Sequence, residues 1–243
     1  MRVFGLSDKG KKRILNEDSF FVHSYSDKKV AFGAVCDGMG GANAGEVASG
    51  TAIDIIREKI DALGVPPKKI QWTKIIRDIV AAANNAIFEK SSEDISLLGM
   101  GTTFIGFICS ENKAVIANVG DSRAYLISED EIKQISKDHS LVNELVEKGE
   151  ISAEQANNHP NKNVITRALG VDSTVECDVF EVSVSKGQHI LLCSDGLTED
   201  VSEPEIHFEI NNGNSVEEKC KSLIDIANSR GGHDNITVVI VEF

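Results

Sequence analysis

Residues 30–36 form a run of small and apolar residues that stops abruptly on Asp37-Gly38-Met39-Gly40-Gly41. The run is long enough for one strand buried on both faces. A carboxylate at the end of such a strand is held rigidly at the rim of a core, partly out of water. Glycines beside it remove side chains, so backbone carbonyls reach the same point. A fixed carboxylate with exposed backbone oxygen is one way to build a hard-cation site, while an ordinary Asp-Gly turn accounts for the same residues. What constrains the fold is that the arrangement recurs. Residues 189–194 run through a cysteine into Asp195-Gly196. Asp234 stands just before the strand-like run 236–241, and Asn16-Glu17-Asp18 directly precedes the strand-like run 19–22. A fold that brings these four strand ends to one rim makes their carboxylates converge, which points to a metal centre.

Charge limits the partners. Lys+Arg 25 against Asp+Glu 38 leaves −13, which argues against broad binding to nucleic acid or anionic membrane. Bound cations would still let an acidic protein take an anionic substrate. The five cysteines form no CxxC pair, and Cys36, Cys109 and Cys193 lie inside apolar runs. They read as reduced core residues of a cytoplasmic protein. Residues 1–13 lack the apolar segment of a signal peptide, and no run reaches membrane-spanning length.

Along the chain, strands are expected at 2–6, 20–24 and 30–37, the last two an antiparallel pair joined around Ser26-Asp27. Helical spacing fills 45–63, stopped by Gly64 and Pro66-Pro67, and 69–90, with the stripe Trp72, Ile75, Ile76, Ile79, Ala83 and Ile87. These are packing faces. The period then changes to strands at 102–109, 114–119, 124–128 and 132–135, with Gly120-Asp121 as a tight hairpin turn. Successive strands without intervening helices imply antiparallel pairing and exclude a doubly wound parallel sheet. Residues 138–170 interrupt the pattern with a short helix at 141–148, a stop at Gly149 and the polar stretch 157–163. Such an insertion reads as a flap over the site or a plain surface excursion. Strands at 175–184 and 189–194, helices at 204–210 and 216–229, and a final strand complete the chain. With no repeat and no linker, 1–243 reads as a single domain.

Arg13, ahead of the carboxylates at 16–18, reads either as solvated surface or as a planar fork for an oxyanion. In order, the stretches from Arg13 to Asp18, Val35 to Gly41, Gly101-Thr102-Thr103, Asn118 to Arg123, Val164 to Gly170, Ser194 to Leu197 and Gly232 to Thr237 resemble the metal-dependent Ser/Thr protein phosphatases. These are the PPM or type 2C enzymes, and the resemblance is strongest to bacterial members. It covers essentially the whole chain.

The resemblance implies an α+β fold, a four-layer α/β/β/α sandwich of two antiparallel sheets flanked by helix pairs. It implies two tightly held Mn²⁺ or Mg²⁺ ions at one edge, and a third, weaker one. Carried over residue by residue, Asp37 bridges both ions and the Gly38 carbonyl serves one. Asp195 and Asp234 hold the other, Glu17 and Asp18 assist, and Asp121 joins the third position. Arg13 binds the substrate phosphate, with Asp37 and Asp195 completing the catalytic set. Among the histidines, His159 in the insertion, as a substrate contact, and His233 are the two to test.

Chemistry agrees. A phosphate monoester dianion repels hydroxide and hydrolyses extremely slowly unaided. Two oxygen-ligated cations roughly 3.5–4 Å apart bind phosphoryl oxygens and generate a nucleophile from water. No cysteine lies in a glycine-rich loop followed by arginine, and the histidines are scattered. The expectation is hydrolysis of phosphoserine and phosphothreonine in proteins by a monomer opposing a Ser/Thr kinase. Two other readings stay open: a two-metal hydrolase of small phosphoesters, and a non-catalytic phosphoprotein-binding relative.

Overall fold

The computed structural model describes residues 1–25, 30–40, 44–64 and 71–243. The expected turn at Ser26-Asp27, Gly41 of the glycine cluster and the helix stop at Pro66-Pro67 lie outside the described residues. The first strands are β1 (Arg2–Asp8), β2 (Asp18–Tyr25) and β3 (Val30–Met39), followed by helices α1 (Ala44–Leu63) and α2 (Trp72–Glu93). Then come β4 (Gly101–Thr102), β5 (Phe104–Ser110), β6 (Lys113–Val119), β7 (Arg123–Ile127) and β8 (Ile132–Gln134). The insertion carries α3 (Leu141–Glu147) and α4 (Ala153–Asn157). The chain closes with β9 (Asp178–Ser183), β10 (His189–Cys193), the single turn α5 (Asp195–Thr198), α6 (Glu203–Asn212), α7 (Val216–Ser229) and β11 (Ile236–Glu242).

Two antiparallel sheets result. One runs β1-β11-β10-β7-β8, the other β2-β3-β5-β6-β9 with β4 paired to the end of β3. Period-2 alternation sorts their side chains into three cores. Ala31, Val35, Ile105 and Phe107 of the second sheet meet Ile190, Leu192, Val239 and Val241 of the first between the sheets. The alternate residues Phe32, Ala34 and Cys36 face outward onto α1 and α2 through Ala48, Ile56, Ile79 and Ile87. On the opposite side Leu191, Cys193, Val238 and Ile240 receive Ile206, Ile210, Cys220 and Leu223 of α6 and α7. The layers are α/β/β/α, as expected. No helix among the described residues is long and apolar enough to cross a membrane.

The expected hairpin at Gly120-Asp121 is wrong. β6 belongs to the second sheet and β7 to the first, so residues 120–122 carry the chain from one sheet across to the other. Gly120 has φ +106°, a conformation that a side chain makes costly whether the strands on either side pair or part. A glycine there marks a sharp change of direction without saying where the next strand goes. The expected strand 102–109 is divided at Thr103 into β4 and β5, both paired to β3, and Thr103 itself bonds the backbone of Asp37 on that same strand.

Candidate metal centre

The rim where β3 and β10 end and β2 and β11 begin collects the acidic residues singled out from sequence. Asp18 and Asp37 face each other directly in the β2–β3 ladder. Asp37 is clamped through its backbone. Its N–H donates to Thr103 Oγ1 at 2.9 Å, and its carbonyl accepts from the Thr103 N–H at 2.8 Å and Thr102 Oγ1 at 2.9 Å. The Gly38 N–H donates to the Glu17 carbonyl at 3.1 Å. A Cβ on Gly38 would run into the backbone of Gly45 at the start of α1; the glycine is required by that close approach. Glu17 sits in the same contact, its Oε1 2.5 Å from where a Cβ on Gly45 would lie.

From the first sheet, Asp195 follows β10 as the first residue of α5, behind Ser194. Asp195 lies near enough to Asp37 for its charge to help raise the Asp37 carboxyl. Ser194 Oγ donates to Asp18 Oδ2 at 2.7 Å and accepts the Thr237 N–H at 3.0 Å, tying the two sheets together under the rim. Each oxygen of Asp234 has one donor, which leaves it further lone pairs: Oδ1 accepts its neighbour Asn235's N–H at 2.8 Å and Oδ2 accepts Arg13 Nη2 at 2.6 Å. Asn235 braces the N-terminal loop in turn, donating from Nδ2 to the Lys9 and Leu15 carbonyls, both at 2.9 Å.

These carboxyls are held away from their ordinary state. Burial first, then neighbouring carboxylates, raises Asp37 well above the usual range. The same cause, opposed by the Ser194 hydroxyl, lifts Asp18 to about 7, and Asp195 is lifted to about 6. Asp121 reaches about 7 through burial and the charge of Asp195. Two oxygens at this rim, Asp18 Oδ1 and Asp195 Oδ1, are buried without any hydrogen-bond donor. Orphaned, mutually repelling carboxylate oxygens suit a divalent cation. Among the described residues no three His, Cys, Asp or Glu side chains close around one point as a finished metal cage.

Asp121, on the crossover between the sheets, is steadied by a residue that sequence reading passed over. The His139 backbone N–H donates to the Gly120 carbonyl at 2.9 Å, and its ring accepts the Gly120 N–H on Nδ1 at 3.1 Å. Its Nε2 lies 3.2 Å from Asp178 Oδ2. With Nδ1 accepting, the proton sits on Nε2, and burial lowers the ring's affinity for a second one. Asp121 and Asp195 line an open cleft of about 520 Å³ whose far wall is the insertion, through Asn143, Lys162 and Asn163. His159 is not among the residues lining that cleft; its Nδ1 accepts the Asn161 N–H at 3.1 Å within its own turn. His233 lies 3.2 Å from Asp200. Lys162, 3.0 Å from Glu199, had no distinguishing signal in sequence; Ser194 stood in a recognised motif, but its bond to the distant Asp18 was not legible there.

Comparison with known proteins agrees with this architecture. The family profile described as Protein phosphatase 2C matches residues 9–230. The chain is 42% identical over 239 residues to the serine/threonine phosphatase stp of Listeria innocua, covering 97% of this chain and 93% of that protein. The serine/threonine phosphatase Stp1 from Staphylococcus aureus superposes with TM-score 0.91 at 34% identity, covering 99% of this chain and 94% of the other. The catalytic domain of the phosphatase PstP, solved in complex with two manganese ions, gives 0.86 at 35% identity, with 99% and 97% covered.

Proposed function

The chain belongs to the protein phosphatase 2C family of metal-dependent serine/threonine phosphatases, and from that premise we propose which of its residues hydrolyse phosphoserine and phosphothreonine in proteins. Asp37, the Gly38 carbonyl, Asp195 and Asp234 hold two Mn²⁺ or Mg²⁺ ions, with Glu17 and Asp18 supporting them. When bound, the ions supply charge neutralisation for the phosphoryl oxygens and acidify water at neutral pH. Asp121 contributes to a third and weaker position.

The remaining steps fall to the chain's own side chains. Arg13 is half exposed and held at one end by Asp234, so its other N–H donors are free to fork onto a phosphoryl oxygen. Thr102 and Thr103 fix the backbone of Asp37, so its carboxylate does not reorganise as charge develops. The His139 clamp on Gly120 keeps Asp121 facing the cleft through which a protein substrate enters. On this reading the protein acts as a cytoplasmic monomer opposite a serine/threonine kinase, away from nucleic acid and membrane. All five cysteines are free and buried, which supports that setting.

The pair of buried, donorless oxygens on Asp18 and Asp195 carries the assignment. Activity on a phosphothreonine peptide should vanish with chelator and return with Mn²⁺. Asp37→Ala should abolish it while leaving the metal-free fold at least as stable, because one repelling carboxylate is gone. Full turnover in chelated, metal-free protein would overturn the reading.

A further inference from the structure

Four of the chain's 25 lysines and arginines fall within five residues, Lys9, Lys11, Lys12 and Arg13. Asp234 takes up Arg13. Lys9, Lys11 and Lys12 are exposed, and none of them enters an ion pair among the described residues. In a protein of net charge −13, three adjacent uncompensated cations stand apart from their surroundings.

The loop that carries them is fastened at every step. The Gly10 N–H donates to Asp8 Oδ1 at 2.8 Å. The Lys11 and Lys12 N–H groups both donate to the Gly232 carbonyl, at 2.8 and 3.1 Å. Asn235 holds the loop's two ends through Lys9 and Leu15. The same 232–235 segment carries Asp234, so the loop's position is set by the rim itself. The backbone that carries its charges is therefore already placed next to Arg13, so binding has only the lysine side chains left to order.

We propose that this loop reads the flank of the substrate: it selects phosphorylated segments in which Asp and Glu surround the phosphoserine or phosphothreonine. This inference rests on the phosphatase reading above. Arg13 and the metal ions suffice for one phosphoryl group, so the three lysines exceed what that group needs. An extended peptide advances about 3.3 Å per residue, which lays the residues next to the phosphorylated one over the adjoining loop. The net charge of the molecule repels an acidic segment elsewhere, and the lysine loop reverses that locally.

The test compares wild type with the triple variant K9Q/K11Q/K12Q on three substrates. Two are phosphothreonine peptides differing only in flanking Glu or Gln, and the third is p-nitrophenyl phosphate. At about 0.05 M salt wild type should favour the Glu peptide, and the variant should lose roughly five- to tenfold in kcat/KM on it. Loss on the Gln peptide should be small, and the aryl phosphate should be hydrolysed as before. The difference should disappear near 0.5 M salt, where exposed charges are screened. Replacing the three lysines with arginine should keep the preference. Equal loss on all three substrates would make the loop part of the site's framework, and no preference in wild type would make it solvated surface. Lysine-dependent sedimentation with phosphatidylserine vesicles, without a peptide preference, would assign the loop to membranes. Each of those outcomes overturns the proposal. Wild type inactive on every substrate would instead overturn the phosphatase reading.

Discussion

Arg13 shows how much of a residue's role depends on its partner. Its 2.6 Å bond to Asp234 couples the phosphate fork to a carboxylate assigned to the metal site. Arg13→Ala should raise KM for a phosphopeptide, because a charge-assisted contact worth about 1.5–3 kcal/mol is removed. If the fork also steadies charge that develops during reaction, kcat falls as well. Arg13→Lys should restore only part of the loss, since an ammonium cannot grip Asp234 and an oxyanion in one plane. Steady-state kinetics on wild type and both variants decide it; an unchanged kcat/KM in Arg13→Ala would return the residue to solvated surface. In sequence, Arg13 was legible as a candidate because it precedes Asn16-Glu17-Asp18. The bond to Asp234, 221 positions away, was not.

At the scale of elements, local chemistry was legible and the path between the sheets was not. The helices, the buried strands and the acidic residues at their ends follow from period and composition. The second insertion helix also had a signal, the capping box of Ser152 and Gln155, which the polar composition around it obscured. The crossover at 120–122 had none, because a hairpin and a change of sheet ask the same conformation of Gly120. Asp121 therefore reached the site list by family resemblance alone. That crossover is testable. A Cβ on Gly120 would lie 2.7 Å from the Thr103 side chain at φ +106°. Gly120→Ala should cost about 1–3 kcal/mol in urea unfolding. It should also lower turnover, since Thr103 clamps Asp37 and Asp121 is the next residue along. Wild-type stability and turnover would show that the turn tolerates an ordinary residue and does not position Asp121.

The whole molecule joins two well-packed sheets along a rim whose charges oppose folding. In the metal-free protein Asp18 and Asp121 are held at about 7 and Asp195 at about 6, against 3.8 for an unperturbed aspartate. Below about pH 4 both folded and unfolded chains are protonated at these groups. Between there and about pH 7 the folded chain binds more protons than the unfolded one, so stability falls as pH rises. Above about pH 7 the cost of ionising these three carboxylates remains in full, and Asp37, raised well above the usual range by the same burial, adds to it. Metal-free protein should therefore melt higher near pH 5 than near pH 8. A loss of only about 2 kcal/mol lowers Tm by roughly 4–8 °C in a chain of this size. Mn²⁺ at about pH 8 should recover the difference, because an ion that binds only the folded state stabilises it. The general repulsion of a chain of net charge −13 acts in the same direction, and Asp18→Asn separates the two. The amide keeps an oxygen for Ser194 and removes one titrating group, so it should flatten the pH dependence and raise Tm near pH 8, while general repulsion is left almost unchanged. Scanning calorimetry of both proteins, with chelator and with Mn²⁺, makes the comparison. A metal-free Tm that is level or rises from about pH 5 to pH 8 would mean that the rim is not the strained element this structure makes it.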